Sequence, residues 1–106
     1  MPLVFLLTSI LSGCSPSLSD AEVLAAEEFC DRAVICGLWV PNDMQTCIDY
    51  MNMVFDLEWP NIECEPAITG DRLDECLDEI KVETCRDLHW NIENLETCTQ
   101  EAICGE

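Results

Sequence analysis

An all-α, disulfide-rich bundle of about four short helices is the fold class this sequence predicts. Three observations carry it. Apolar residues recur at three- and four-residue spacing between recognisable helix start and stop signals. No segment sustains the period-two alternation of a half-buried strand. Nine cysteines stand among 106 residues, a density typical of small disulfide scaffolds in oxidising compartments.

The first helix is predicted from a capping box. Ser19 and Glu22 have the spacing for reciprocal bonds to the free backbone donors, with Leu18 and Val23 placed as a hydrophobic staple. Val23, Ala26, Cys30, Ala33 and Val34 then repeat at helical spacing, and Gly37 supplies a left-handed C-terminal cap. Asn42 and Gln45 read as the next capping pair. Met44, Cys47, Ile48, Met51 and Phe55 form the stripe of a second helix to about Leu57, which Pro60 ends. A third begins near Asp71, with Leu73, Cys76, Leu77 and Ile80 on one side and Asp71, Asp74, Glu75 and Asp78 on the other. A shorter fourth covers Leu95 to Cys104 and ends at Gly105. Residues 84–93 add at most a turn.

Cysteine use follows from number and spacing. Cys30, Cys36, Cys47, Cys64, Cys76, Cys85, Cys98 and Cys104 make an even set if Cys14 has another role. Structural zinc favours close Cys-x2-Cys pairs, and no interval here is that short. Cys30 and Cys36 are six apart, as are Cys98 and Cys104. Within one helix that spacing puts Cα atoms about 10 Å apart, beyond the roughly 7 Å a disulfide tolerates. Excluding both pairs removes about a quarter of the 105 pairings eight cysteines allow. Cys36–Cys47 is the favoured local bridge, because a turn separates the two, and Cys85–Cys98 is second on the same reasoning. Cys47-Ile48-Asp49-Tyr50-Met51 echoes Cys76-Leu77-Asp78-Glu79-Ile80, each with a cysteine 11 or 12 positions before it. The echo suggests two degenerate helical hairpins, each stapled across its turn.

The N-terminus carries a different signal. Leu3 to Leu11 is apolar except for Thr8 and Ser9, and is too short to span a bilayer, which takes roughly 20 residues. Small residues and a cysteine follow as Leu11-Ser12-Gly13-Cys14. This motif resembles a bacterial lipobox, and the segment resembles a lipoprotein signal peptide. The resemblance covers residues 1–14. It implies removal of residues 1–13, diacylglyceryl attachment at Cys14, a linker over residues 14–19 and a cysteine-rich domain over residues 20–106. It further implies a lipid-anchored protein of the bacterial cell envelope. The absence of Asp at Ser15 leans toward the outer membrane. No Lys or Arg precedes the apolar core, which suggests a start upstream of Met1. The cysteine-rich part, with Cys36-Gly37, Cys76-Leu77-Asp78 and Cys85-Arg86-Asp87-Leu88, loosely resembles small cysteine-rich bacterial lipoproteins of unknown function. That likeness implies no catalytic residue. The intervals of 8 and 10 residues miss the twin Cys-x9-Cys pattern of other helical hairpins.

Charge narrows the function classes. With 22 acidic and 4 basic residues the formal net charge is −18. That opposes nucleic-acid binding, which depends on Lys and Arg. It favours solubility and, if a partner exists, a basic one. His89 is the single histidine, and no Gly-x-Ser-x-Gly elbow marks a nucleophile for it. The acidic stripe Asp71, Asp74, Glu75, Asp78 and Glu79 lies on a helix without the glycine-bearing turn of calcium loops, so a solvated face is expected and no metal or other cofactor. Trp39, Trp59 and Trp90 all fall in predicted turns. They are expected to cover the ends of a thin core, with Leu38, Trp39 and Val40 as the candidate partner contact.

The expectation is therefore a non-enzymatic, lipid-anchored, acidic binding or structural module. The alternative is an inhibitor or immunity-type protein that captures a basic secreted hydrolase.

Overall fold

The computed structural model describes residues 16–60, 64 and 67–105. The lipobox-like segment and Cys14 lie outside the described residues. Among the described residues the structure is helical with no strand: α1 (Leu18–Ile35), a 3-10 turn at Pro41–Asp43, α2 (Met44–Glu58), α3 (Gly70–Val82), a second 3-10 turn at Glu96–Cys98 and α4 (Gln100–Cys104). The expected fourth helix is thus split, with Thr99 in extended conformation between its two parts. None of these helices is long and apolar enough to cross a membrane.

The N-cap of α1 lies two residues before the predicted one. Ser17 is the N-cap, and its hydroxyl accepts from the Asp20 backbone N–H at 3.1 Å. Leu18 and Ser19, expected in the linker, form the first turn, and Leu18 is buried. The C-terminus follows the sequence. Gly37, at φ +76°, donates to the Val34 carbonyl at 3.0 Å, and Leu38 donates to Ala33 at 2.8 Å. Those two bonds define a Schellman cap and need a residue that accepts positive φ.

α1 packs against both α2 and α3. Its buried face contains Ala21, Ala25, Ala26 and Ala33 beside Leu18, Phe29 and Cys30. Small side chains let the neighbouring helices approach closely. Val23, assigned to the stripe in sequence, is exposed instead, because the face centres on Ala25 and Phe29. α2 buries Cys47, Met51 and Phe55. Its predicted Asn42–Gln45 cap does not form: Asp43 is the N-cap, and Gln45 donates to Asp49 at 2.8 Å. α3 is capped by Thr69, whose Oγ1 accepts from the Arg72 N–H at 3.2 Å, and it buries Leu73, Cys76 and Ile80 as expected.

Four disulfides lock this arrangement: Cys30–Cys47, Cys36–Cys85, Cys64–Cys104 and Cys76–Cys98, with Cα separations of 6.0, 5.2, 4.6 and 4.8 Å. All eight predicted cysteines are bonded, and neither six-residue pair is. The expected local bridges Cys36–Cys47 and Cys85–Cys98 do not exist. Cys30 faces α2 and takes Cys47, whereas Cys36 lies at the C-cap of α1 and meets the loop after α3. The first hairpin is stapled across its turn, by Cys30–Cys47, whereas Cys64 and Cys76 of the expected second unit bond to Cys104 and Cys98 instead of to each other. Cys47 bonds backward along the chain and Cys76 forward, so the two halves are not equivalent units.

Polar side chains tie the ends of the helices together. Glu79 accepts from the backbone N–H groups of Glu96 at 3.2 Å and Thr97 at 2.8 Å, and from the Thr97 hydroxyl at 2.6 Å. It anchors the second 3-10 turn on α3. Glu58 accepts from the Gln100 N–H at 3.0 Å, beside the Thr99 cap of α4. Two of the scarce cations are also structural. Arg32 donates to the Glu83 carbonyl at 2.9 Å, and Arg72 to those of Ala67 and Ile103 at 3.4 and 3.2 Å.

Candidate functional site: an aromatic cleft at the hairpin end

The loop end of the α1–α2 hairpin carries a mostly apolar cleft of about 360 Å³, lined by Trp39, Thr46, Cys47, Tyr50 and Trp90. This volume lies within the roughly 300–1,000 Å³ common for small-molecule sites. Cys47 in this lining is bonded to Cys30 of α1. Three rings arrive from three separate parts of the chain.

Trp39 follows the Schellman turn. Its indole N–H donates to the Asp43 carbonyl at 2.8 Å, which fixes the ring over the start of α2. Thr46 donates to Asp43 Oδ1 at 2.8 Å, so an aspartate carboxylate is bonded to a side chain that lines the cleft. Tyr50 stands four residues after Thr46, on the same face of α2. Trp90 comes from the loop after α3, which the Cys36–Cys85 bridge ties to α1. It packs, tilted at 49°, against Phe29 of the core with ring centroids 5.4 Å apart. Ile92, buried and at φ +54°, helps turn this loop inward. Positive φ is uncommon for a β-branched residue and marks a constrained backbone.

The rings are arranged edge to face. Trp39 and Trp90 have centroids 5.9 Å apart at 74°, and Tyr50 and Trp90 are 6.4 Å apart at 75°. Tyr50 is 47% exposed, so the cleft opens to solvent. Met53 and Leu57, 51% and 73% exposed, continue an apolar strip along α2 from Tyr50.

The structure divides the predicted partner contact. Leu38 and Val40 are exposed, while Trp39 is half-buried and turned into the cleft. These residues also border a shallower depression of about 230 Å³ with Gly37 and Asp43. Trp59 is elsewhere, fully buried at the end of α2 against Phe55. Sequence reasoning missed Tyr50 and Thr46. The available signal was that Tyr50, Met53 and Leu57 are bulky residues at helical spacing off the main stripe of α2.

The other candidates resolve simply. Asp71, Asp74, Glu75 and Asp78 are exposed along α3, and Glu79 is committed to the second 3-10 turn. Among the described residues no three His, Cys, Asp or Glu side chains converge as a metal site. His89 is exposed beside Trp90. Burial, with repulsion from Glu79 and Asp87, pushes the Glu83 carboxyl above the ordinary glutamate value, and His89 opposes that rise.

No curated protein and no solved structure matches this chain. A family model does match, over residues 25–106, which include all eight bonded cysteines, Tyr50 and the three tryptophans. The chain belongs to the family of unknown function DUF6184.

Proposed function

We propose that this chain is a lipid-anchored envelope protein whose disulfide-locked domain binds a ligand or partner through the aromatic cleft. The carrying observation is the convergence of Trp39, Tyr50 and Trp90 on one open cleft braced by two disulfides. Rigid aromatic rings supply contact area at low entropic cost. Four bridges suit an oxidising compartment outside the cytosol, and Leu11-Ser12-Gly13-Cys14 supplies the anchor. Two or more acyl chains on Cys14 would make release from the membrane slow.

The test has two parts. Cys14→Ser should move the protein from the membrane to the soluble fraction, and intact mass of the native protein should show acylation of Cys14. Pull-down from envelope extract should recover a partner with the wild type and lose it with Tyr50→Ala. Membrane retention of Cys14→Ser overturns the anchor; equal recovery by Tyr50→Ala overturns the cleft.

A second reading, capture of a basic secreted hydrolase, is supported by the net charge of −18. Association steered by that charge slows as ionic strength rises. Association insensitive to salt argues against it.

A further inference from the structure

The reading of the cleft as the binding site extends to the chemistry of its ligand. We propose that the cleft is an aromatic cage for a small trimethylammonium solute that carries net positive charge. The inference rests on the binding role proposed above and goes beyond it.

Three features of the cleft point to a cation. Trp39 and Tyr50 each meet Trp90 near perpendicular, and all three rings line the one cleft. Ring faces carry partial negative charge and attract a cation within about 6 Å of a centroid, and a methylated ammonium tolerates the loss of water that an apolar cleft imposes. The Asp43 carboxylate, held by Thr46, adds a full negative charge beside the lining. It also offsets the positive N-terminal end of α2.

The rest of the molecule agrees. A net charge of −18 concentrates cations near the surface and repels anions. None of the four basic residues, Arg32, Arg72, Lys81 and Arg86, lines the cleft to compete for it. An anionic or zwitterionic ligand would gain less from this surface. A purely apolar one would make no use of Asp43 or of the ring quadrupoles.

The experiment titrates choline into the purified, disulfide-intact full chain and follows tryptophan fluorescence, with sodium chloride matched throughout. The neutral isostere 3,3-dimethylbutanol is titrated in parallel. Saturable choline binding, about tenfold tighter than the isostere, is expected. Tyr50→Ala and Trp39→Leu should each weaken choline several-fold, with circular dichroism showing that the helices persist. Equal affinity for the isostere overturns the cation and leaves the cleft a binding site. No choline response up to about 100 mM, far weaker than a millimolar site, also overturns it, while pull-down with Tyr50→Ala still reads the wider proposal. Retention on phosphatidylcholine vesicles without a response to free choline overturns the solute and assigns the cage to a lipid headgroup.

Discussion

The indole N–H of Trp59 donates to the backbone carbonyl of Cys98 at 2.7 Å, across 39 residues of chain, and both residues are fully buried. Cys98 is at the same time bonded to Cys76 of α3. One contact therefore joins the end of α2 to the disulfide that holds the second 3-10 turn on α3.

Trp59→Phe keeps most of the ring volume but leaves the Cys98 carbonyl without its buried donor. Stability should fall by about 1–3 kcal/mol. Trp59→Ala adds a cavity beside Phe55 and should cost about 3–5 kcal/mol. Denaturant unfolding under oxidising conditions measures both. Equal loss in the two variants would show that ring volume is irrelevant.

Trp39 combines packing with exposure. Trp39→Ala removes its edge-to-face contact with Trp90 and its bond to Asp43, in a half-buried setting. A loss of about 1–2 kcal/mol is expected, with helix content retained. An unchanged melting temperature would make the ring a free anchor with no part in the fold.

The disulfides differ in access. Cys85 is exposed and Cys36 half-buried, whereas the cysteines of the other three bridges are all buried. Thiol–disulfide exchange requires access to sulfur. Graded reduction followed by alkylation and peptide mass mapping should label Cys36 and Cys85 first. The bridge spans 49 positions, and losing it should cost about 2–4 kcal/mol and free the Trp90 loop from α1. The cleft should then lose its tryptophan fluorescence signature before the helices melt.

Glu83 gives a pH signature. Burial comes first among the causes that raise its carboxyl, followed by Glu79 and Asp87. A folded-state value above the unfolded one means the folded state takes up the proton more readily. The stability tied to this group is fully present below the ordinary glutamate range and is lost as pH rises through the raised value. Glu83→Gln should therefore melt above the wild type at neutral pH, and the difference should vanish near about pH 4. Its Arg32 contact is to the backbone carbonyl and survives the substitution. A variant less stable than wild type at pH 7 would contradict this.

Local order was legible in the sequence. Helix periodicity, the Gly37 cap and the burial of Leu73, Cys76 and Ile80 all follow from interactions within a few residues of each other. So did the exclusion of Cys30–Cys36, which rests on helical rise; Cys98–Cys104 is also unbonded, but Thr99 breaks the single helix on which that exclusion relied. The caps misplaced at Ser19 and Asn42 show the limit of that reasoning. Ser17 and Asp43 are equally good capping residues, and burial of Leu18 and packing of α2 decide between them.

Disulfide partners and the aromatic cleft belong to the tertiary structure. Cys47 is about as far along the chain from Cys30 as Cys64 is from Cys47, so spacing cannot rank the partners. The packing of α1 on both α2 and α3 does, by bringing Cys30 to Cys47 and Cys36 to Cys85. Trp90 is read as a turn residue in sequence, and only the fold carries it 40 positions back to Tyr50. The sequence by itself determined the helices, the charge and the even set of eight cysteines, because these depend on composition and short-range geometry. Pairing and the cleft were decided by side-chain packing between segments distant in the chain, which periodicity does not encode.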